Sequence, residues 1–98
     1  MENSMKLNVL NSLVLNSLVH EYNTYSELIA FQKELDKESN ERKEMIEIDS
    51  EHLETVRERL VGVVKELGVN LVFEFRQHKK LFGGSFLPLN YTVARVED

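Results

Sequence analysis

The sequence predicts an α+β fold: a long N-terminal helix, a short strand, a second amphipathic helix and a C-terminal β-hairpin. Three observations predict it. Apolar residues recur at helical spacing through the first third of the chain and again over residues 50–67. Two alternating runs, 69–82 and 85–96, close the chain. Gly83-Gly84 stands between those runs, as a two-residue hairpin turn requires.

The first helix is expected over residues 4–38. Val9/Leu10, Leu13/Val14, Leu18 and Tyr22 fall three or four residues apart, and the pattern runs on through Tyr25, Ile29, Gln32 and Leu35. Proline and glycine are absent from the stretch. Thr24-Tyr25-Ser26-Glu27 matches a capping box, which would break the helix near Asn23–Thr24. One long or slightly kinked helix of roughly 50 Å is the preferred form. Within it, Leu10-Asn11-Ser12-Leu13-Val14 is repeated at once as Leu15 to Val19. A five-residue shift turns a helix by about 140°, so the two copies present different faces and widen the apolar stripe. A stripe that wide invites a helix–helix interface between subunits.

Lys37 to Lys43 is charged and non-periodic and reads as a solvated connection. Residues 44–48 are expected to form a short strand, with Ile46 and Ile48 to one side and Met45 and Glu47 to the other. Asp49 or Ser50 then caps the second helix, 50–67, whose stripe is Leu53, Val56, Leu60, Val63/Val64 and Leu67. Gly68 is its stop. Mid-helix Gly62 is a mild cost.

A turn at Gly83-Gly84 fixes the hairpin register: Phe82 faces Ser85, Leu81 faces Phe86, Arg76 faces Tyr91, Phe75 faces Thr92 and Phe73 faces Ala94. Phe73, Phe75, Ala94 and Val96 are expected to lie over the second helix. Pro88, which cannot donate to the ladder, is expected to interrupt it. A sheet this small with a free edge is marginal, so pairing with a second copy would complete it.

Composition narrows function. The 98 residues make one domain, 1–98, with a thin core, for which oligomerisation is a common remedy. No cysteine is present, so disulfide and thiolate chemistry are excluded. Three scattered histidines point to no metal site, and no cofactor or nucleotide fingerprint occurs. No nucleophile elbow is visible, so an enzyme is not expected. The apolar run Leu7–Val19 is too short and too interrupted for a membrane span and lacks a cleavage site, so a cytoplasmic protein is expected.

The candidate contact site is the hairpin arm: Arg76, His78, Lys79, Lys80, Leu81, Phe82, Gly83, Gly84, Phe86 and Leu87. Its apolar members lie beyond the reach of helix 50–67, and clustered apolar residues at an exposed tip signal contact with something. Their partner is a sister subunit, another protein or the chain's own first helix. An alternative is a phosphorylated metabolite or nucleotide held by Gly83-Gly84-Ser85 and the neighbouring cations at a subunit interface. Nucleic-acid binding, with Phe82 or Phe86 stacking on bases, is a weaker alternative, because the net charge of −5 opposes it. The acidic middle of the chain, Glu34 to Glu58, offers a second protein-binding surface. The expected function is that of a non-enzymatic, homo-oligomeric binding protein of inhibitor or adaptor type.

Overall fold

The computed structural model describes residues 2–35 and 40–97. Four elements follow in the order α1 (Glu2–Glu34), α2 (Asn40–Leu67), β1 (Asn70–Phe82) and β2 (Ser85–Glu97). The α+β class stands, with the order helix, helix, strand, strand. The molecule is drawn out to 55 × 24 × 18 Å.

α1 is one helix without a break at Asn23–Thr24. Thr24 lies mid-helix, so it caps nothing, and Glu27 is turned to another use. The last residues of the expected helix 4–38, from Asp36 on, and the start of the Lys37–Lys43 connection lie outside the described residues. Arg42 and Lys43 are already in α2.

The short strand over 44–48 does not form, and the second helix starts at Asn40 rather than at Ser50. Alternation of Ile46 and Ile48 suggested extension, but Ile46 also lies one heptad before Leu53, which continues the helical stripe of Leu53, Leu60 and Leu67. Burial follows the helical pattern: Ile46 is half-buried and Ile48 is exposed. Gly68 ends α2 in the left-handed region, at φ 67°. There the Val64 carbonyl accepts from both Gly68 and Val69, at 3.0 and 3.3 Å.

α1 and α2 run antiparallel. His52 Nε2 lies 2.7 Å from Glu21 Oε1, and the His52 ring packs on Tyr25 with centroids 4.4 Å apart. Leu15, Leu18 and Tyr22 of α1 meet Val56, Leu60 and Val64 of α2, and Ala94 of the hairpin closes this cluster. Phe73 lies at its margin, with Tyr22 at 5.4 Å between ring centroids and the Arg57 guanidinium 5.2 Å from its own centroid.

The hairpin register agrees pair by pair with the expected one, from Phe82↔Ser85 to Phe73↔Ala94 and on to Asn70↔Glu97. Positive φ at both turn glycines, 58° and 80°, makes a turn whose twist matches the strands. Pairing is unbroken at Pro88, opposite Lys79. The reason is phase. Ala94 spends its N–H and its carbonyl on the Asn23 side chain, at 2.6 and 3.1 Å, so both groups point away from β1. Pro88, an even number of residues earlier, points its backbone the same way, and its missing N–H was never a ladder donor.

α1 therefore lies along the outer edge of β2. The Asn23 amide bonds Ala94 as a neighbouring strand would, and Ser26 Oγ donates to the Thr92 carbonyl at 2.5 Å. Further along, Ala30 and Phe31 cover Leu89, Tyr91 and Val93, the face of the sheet opposite Ala94. This overturns one expected core member. Phe73, Ala94 and Val96 do pack with α2, but Phe75 is 68% exposed, because α2 covers only the base of the hairpin.

Candidate functional site

The arm residues divide by strand parity. Arg76, His78, Lys80, Phe82 and Leu87 share the face on which α1 lies, and Lys79, Leu81 and Phe86 share the other.

On the first face the arm is latched to α1. Phe82 meets Phe31 edge-to-face, with centroids 5.3 Å apart and planes at 77°. Lys80 Nζ sits 4.6 Å from the centroid of the same Phe31 ring. The His78 Nδ1 lies 2.9 Å from the Tyr91 hydroxyl, and its Nε2 lies 3.7 Å from Glu27 Oε1. Leu87 is half-buried.

The line Glu27–His78–Tyr91 has the order of a carboxylate, an imidazole and a hydroxyl, so its chemistry needs weighing. Burial pushes the Tyr91 phenol above its ordinary pKa, with the Glu27 charge adding to the effect. The Tyr91 hydroxyl and His78 Nδ1 share one hydrogen bond, which either group can donate. That is the arrangement of a structural tie. An activated nucleophile needs the opposite shift.

On the second face no described residue outside the hairpin covers the arm. Leu81 and Phe86 are directly opposite one another across the ladder and are 63% and 65% exposed. Phe75 continues this surface toward the base, and Gln77, Lys79, Pro88 and Asn90 border a shallow hollow between. Arg76 is exposed beside Tyr91, its ladder partner. The turn glycines are exposed at the apex.

The ten arm residues are thus one segment but two surfaces. Sequence reasoning missed Glu27 and Phe31, which hold the first. Glu27 had a plausible local partner in Thr24, and Phe31 falls outside the stripe of Tyr25, Ile29, Gln32 and Leu35, so neither stood out.

A second uncovered apolar surface lies on α1. Leu15, Leu18 and Val19, the second copy of the repeat, face α2 and the hairpin. Leu10, Leu13 and Val14, the first copy, are exposed together with Val9. Among the described residues there is no cluster of three or more metal-binding side chains, and no helix is long and apolar enough to cross a membrane. Comparison with family models, curated proteins and solved structures finds no match to this chain.

Proposed function

We propose that this chain is a non-enzymatic binding protein that self-associates and engages another protein through the outward face of its hairpin arm. The observation that carries the reading is the Leu81–Phe86 pair. Two large apolar side chains stand opposite each other on the uncovered face, while their neighbours Phe82 and Lys80 are occupied on α1. An exposed cross-strand apolar pair at the end of a stiff ribbon is a docking element, and the hollow beside it, walled by Gln77, Lys79 and Pro88, suits a side chain of a protein partner. The phosphorylated-ligand alternative draws on the same arm. It is the weaker reading because Lys80 and His78 are engaged with Phe31, Tyr91 and Glu27, and the turn geometry accounts for both glycines.

A photo-crosslinking residue at Phe86 tests this, with exposed Arg59 of α2 as the control position. In the native cell, position 86 is expected to yield a discrete adduct with another protein, distinct from the self-adduct, and position 59 is not. No such adduct at 86, or the same adducts at both positions, refutes the reading.

A further inference from the structure

We propose that a second copy of this chain pairs with the outer edge of β1, antiparallel and centred on Phe75, to make a four-stranded sheet in the order β2-β1-β1-β2. The proposal rests on the self-association part of the reading above and gives it a surface and a register.

The two edges of the hairpin are treated differently. On β2, Asn23 and Ser26 of α1 occupy Ala94 and Thr92, and Pro88 removes an outward N–H. On β1, the backbone phase is set by Phe73, which faces Ala94 across the ladder. Since Ala94 points its backbone away from β1, Phe73 points its own away from β2. Leu71, Phe75, Gln77, Lys79 and Leu81 share that phase. Among the described residues the sheet has two strands and this edge pairs with none, and none of its residues is a proline. A 13-residue edge with exposed Phe75 at its middle is a template for another strand.

The sequence of β1 selects the occupant and the register. Antiparallel pairing of two identical strands places one residue opposite itself. Centring on Glu74 opposes two glutamates, and centring on Arg76 opposes two arginines. Centring on Gln77 sets Arg76 against His78 in adjacent positions and brings Glu74 only to the outlying Lys80. Centring on Phe75 sets Glu74 of each copy, whose Oε1 already accepts from Arg95 at 2.7 Å, against Arg76 of the other, twice, and Phe75 against itself. Lys79 and Lys80 then fall at the ends of the paired segment, opposite uncharged Leu71 and Asn70. The two-fold axis also keeps both α2 helices on one face of the sheet, each beside the other copy's uncovered strand end.

The surface is there to be buried. A compact monomer of 11.4 kDa exposes about 5,800 Å². This chain exposes 7156 Å², an excess of roughly 1,400 Å² over that scaling, and a standard interface takes about 800 Å² from each partner.

Light scattering of the full chain is expected to give twice the 11.4 kDa chain mass. R76E and E74R are each expected to be monomeric, since each opposes like charges twice. Mixed in equal amounts, they are expected to restore the dimer as a heterodimer. Because the chain has no cysteine, F75C reports the register. Its two sulfurs are expected to cross-link on mild oxidation, as facing Cα atoms lie about 5.5 Å apart. Q77C is expected not to cross-link, being roughly 13 Å from its counterpart. Gln77→Pro, which removes an outward N–H from β1 as Pro88 does from β2, is expected to give a folded monomer. A monomeric wild type overturns this inference and the self-association, while the crosslink at Phe86 tests the arm separately. A wild-type dimer that R76E leaves intact, or one cross-linked through Q77C and not F75C, overturns the edge and register alone.

Discussion

Asn23 is the residue whose loss tests the architecture most directly. It is a half-buried side chain on a helix, a position where asparagine has no local advantage. Its amide satisfies both backbone groups of Ala94, itself only 4% exposed. Replacing Asn23 with alanine leaves a buried N–H and a buried carbonyl unpaired. Each such group costs about 1–3 kcal/mol. Alanine returns roughly 0.5 kcal/mol in helix propensity. The net expected loss is about 1.5–5.5 kcal/mol, a large share of the ~5–15 kcal/mol that holds a domain of this kind. In melting temperature that is a fall of at least roughly 6 °C.

The assay is urea unfolding followed by circular dichroism at fixed protein concentration, since association shifts apparent stability. The control is Asn16→Ala, on an exposed position of the same helix. It removes an asparagine whose side chain makes no hydrogen bond to the sheet, so the propensity gain dominates, and it is expected to be neutral or slightly stabilised. If Asn23→Ala falls within about 0.5 kcal/mol of Asn16→Ala, the sheet edge is not held by this side chain, and the reasoning that places α1 as a surrogate strand fails.

Four further outcomes follow from the same contacts. Leu60→Ala, at a fully buried site, is expected to cost about 2–5 kcal/mol in the same urea assay, and a loss under 1 kcal/mol refutes its central place between α1 and α2. Gln32 is buried with its Oε1 unpaired among the described residues, so Gln32→Met is expected to stabilise the fold by about 1 kcal/mol, read as a rise in melting temperature. Phe86→Ser is expected to change stability by less than about 1 kcal/mol while abolishing partner crosslinking from a probe at Leu81; a large stability loss refutes its exposure. Burial raises the phenols of Tyr22 and Tyr91 above 10.0, so above that pH the unfolded chain releases protons the native one keeps. Their contribution is full below pH 10.0 and falls as pH rises through the folded values. The urea midpoint is expected to drop in that alkaline range, less steeply in Tyr22→Phe and Tyr91→Phe; unchanged slopes refute the assignment.

The hairpin was legible in the sequence because its constraints are local. Two adjacent glycines set the apex, and a side-chain period of two carries every later pairing from it, so Phe82↔Ser85 entails Phe73↔Ala94. Legibility ended where the deciding contact was distant. Met45 to Ile48 satisfy a strand period and a helix period equally, and only the packing of Ile46 in line with Leu53 selects the helix. Phe75 obeyed the same alternation as Phe73, and its exposure depends on where α2 stops covering the sheet. The arm read as one site because its residues are consecutive. Its division into a face latched to Phe31 and a free face follows from the path of α1, which no local pattern encodes.

The repeated pentapeptide carries this limit furthest. Leu-Asn-Ser-Leu-Val occurs twice, with identical propensity and hydrophobicity, yet Leu15 and Leu18 are buried while Leu10 and Leu13 are exposed. Residue type cannot distinguish the copies; the rotation of about 140° between them does. One copy must turn away from whatever the other packs against, and the side holding α2 and the hairpin has taken Leu15 to Val19. The first copy, with Val9, is therefore apolar surface that the rest of this chain's described residues leave open. It lies on α1 and belongs to a different element from the β1 edge and the Leu81–Phe86 pair. The β1 pairing register uses none of its residues. Serine at Leu10 and Leu13 should then leave the β1-paired dimer intact, and loss of the dimer in that variant would move the self-association from the sheet edge to the helix.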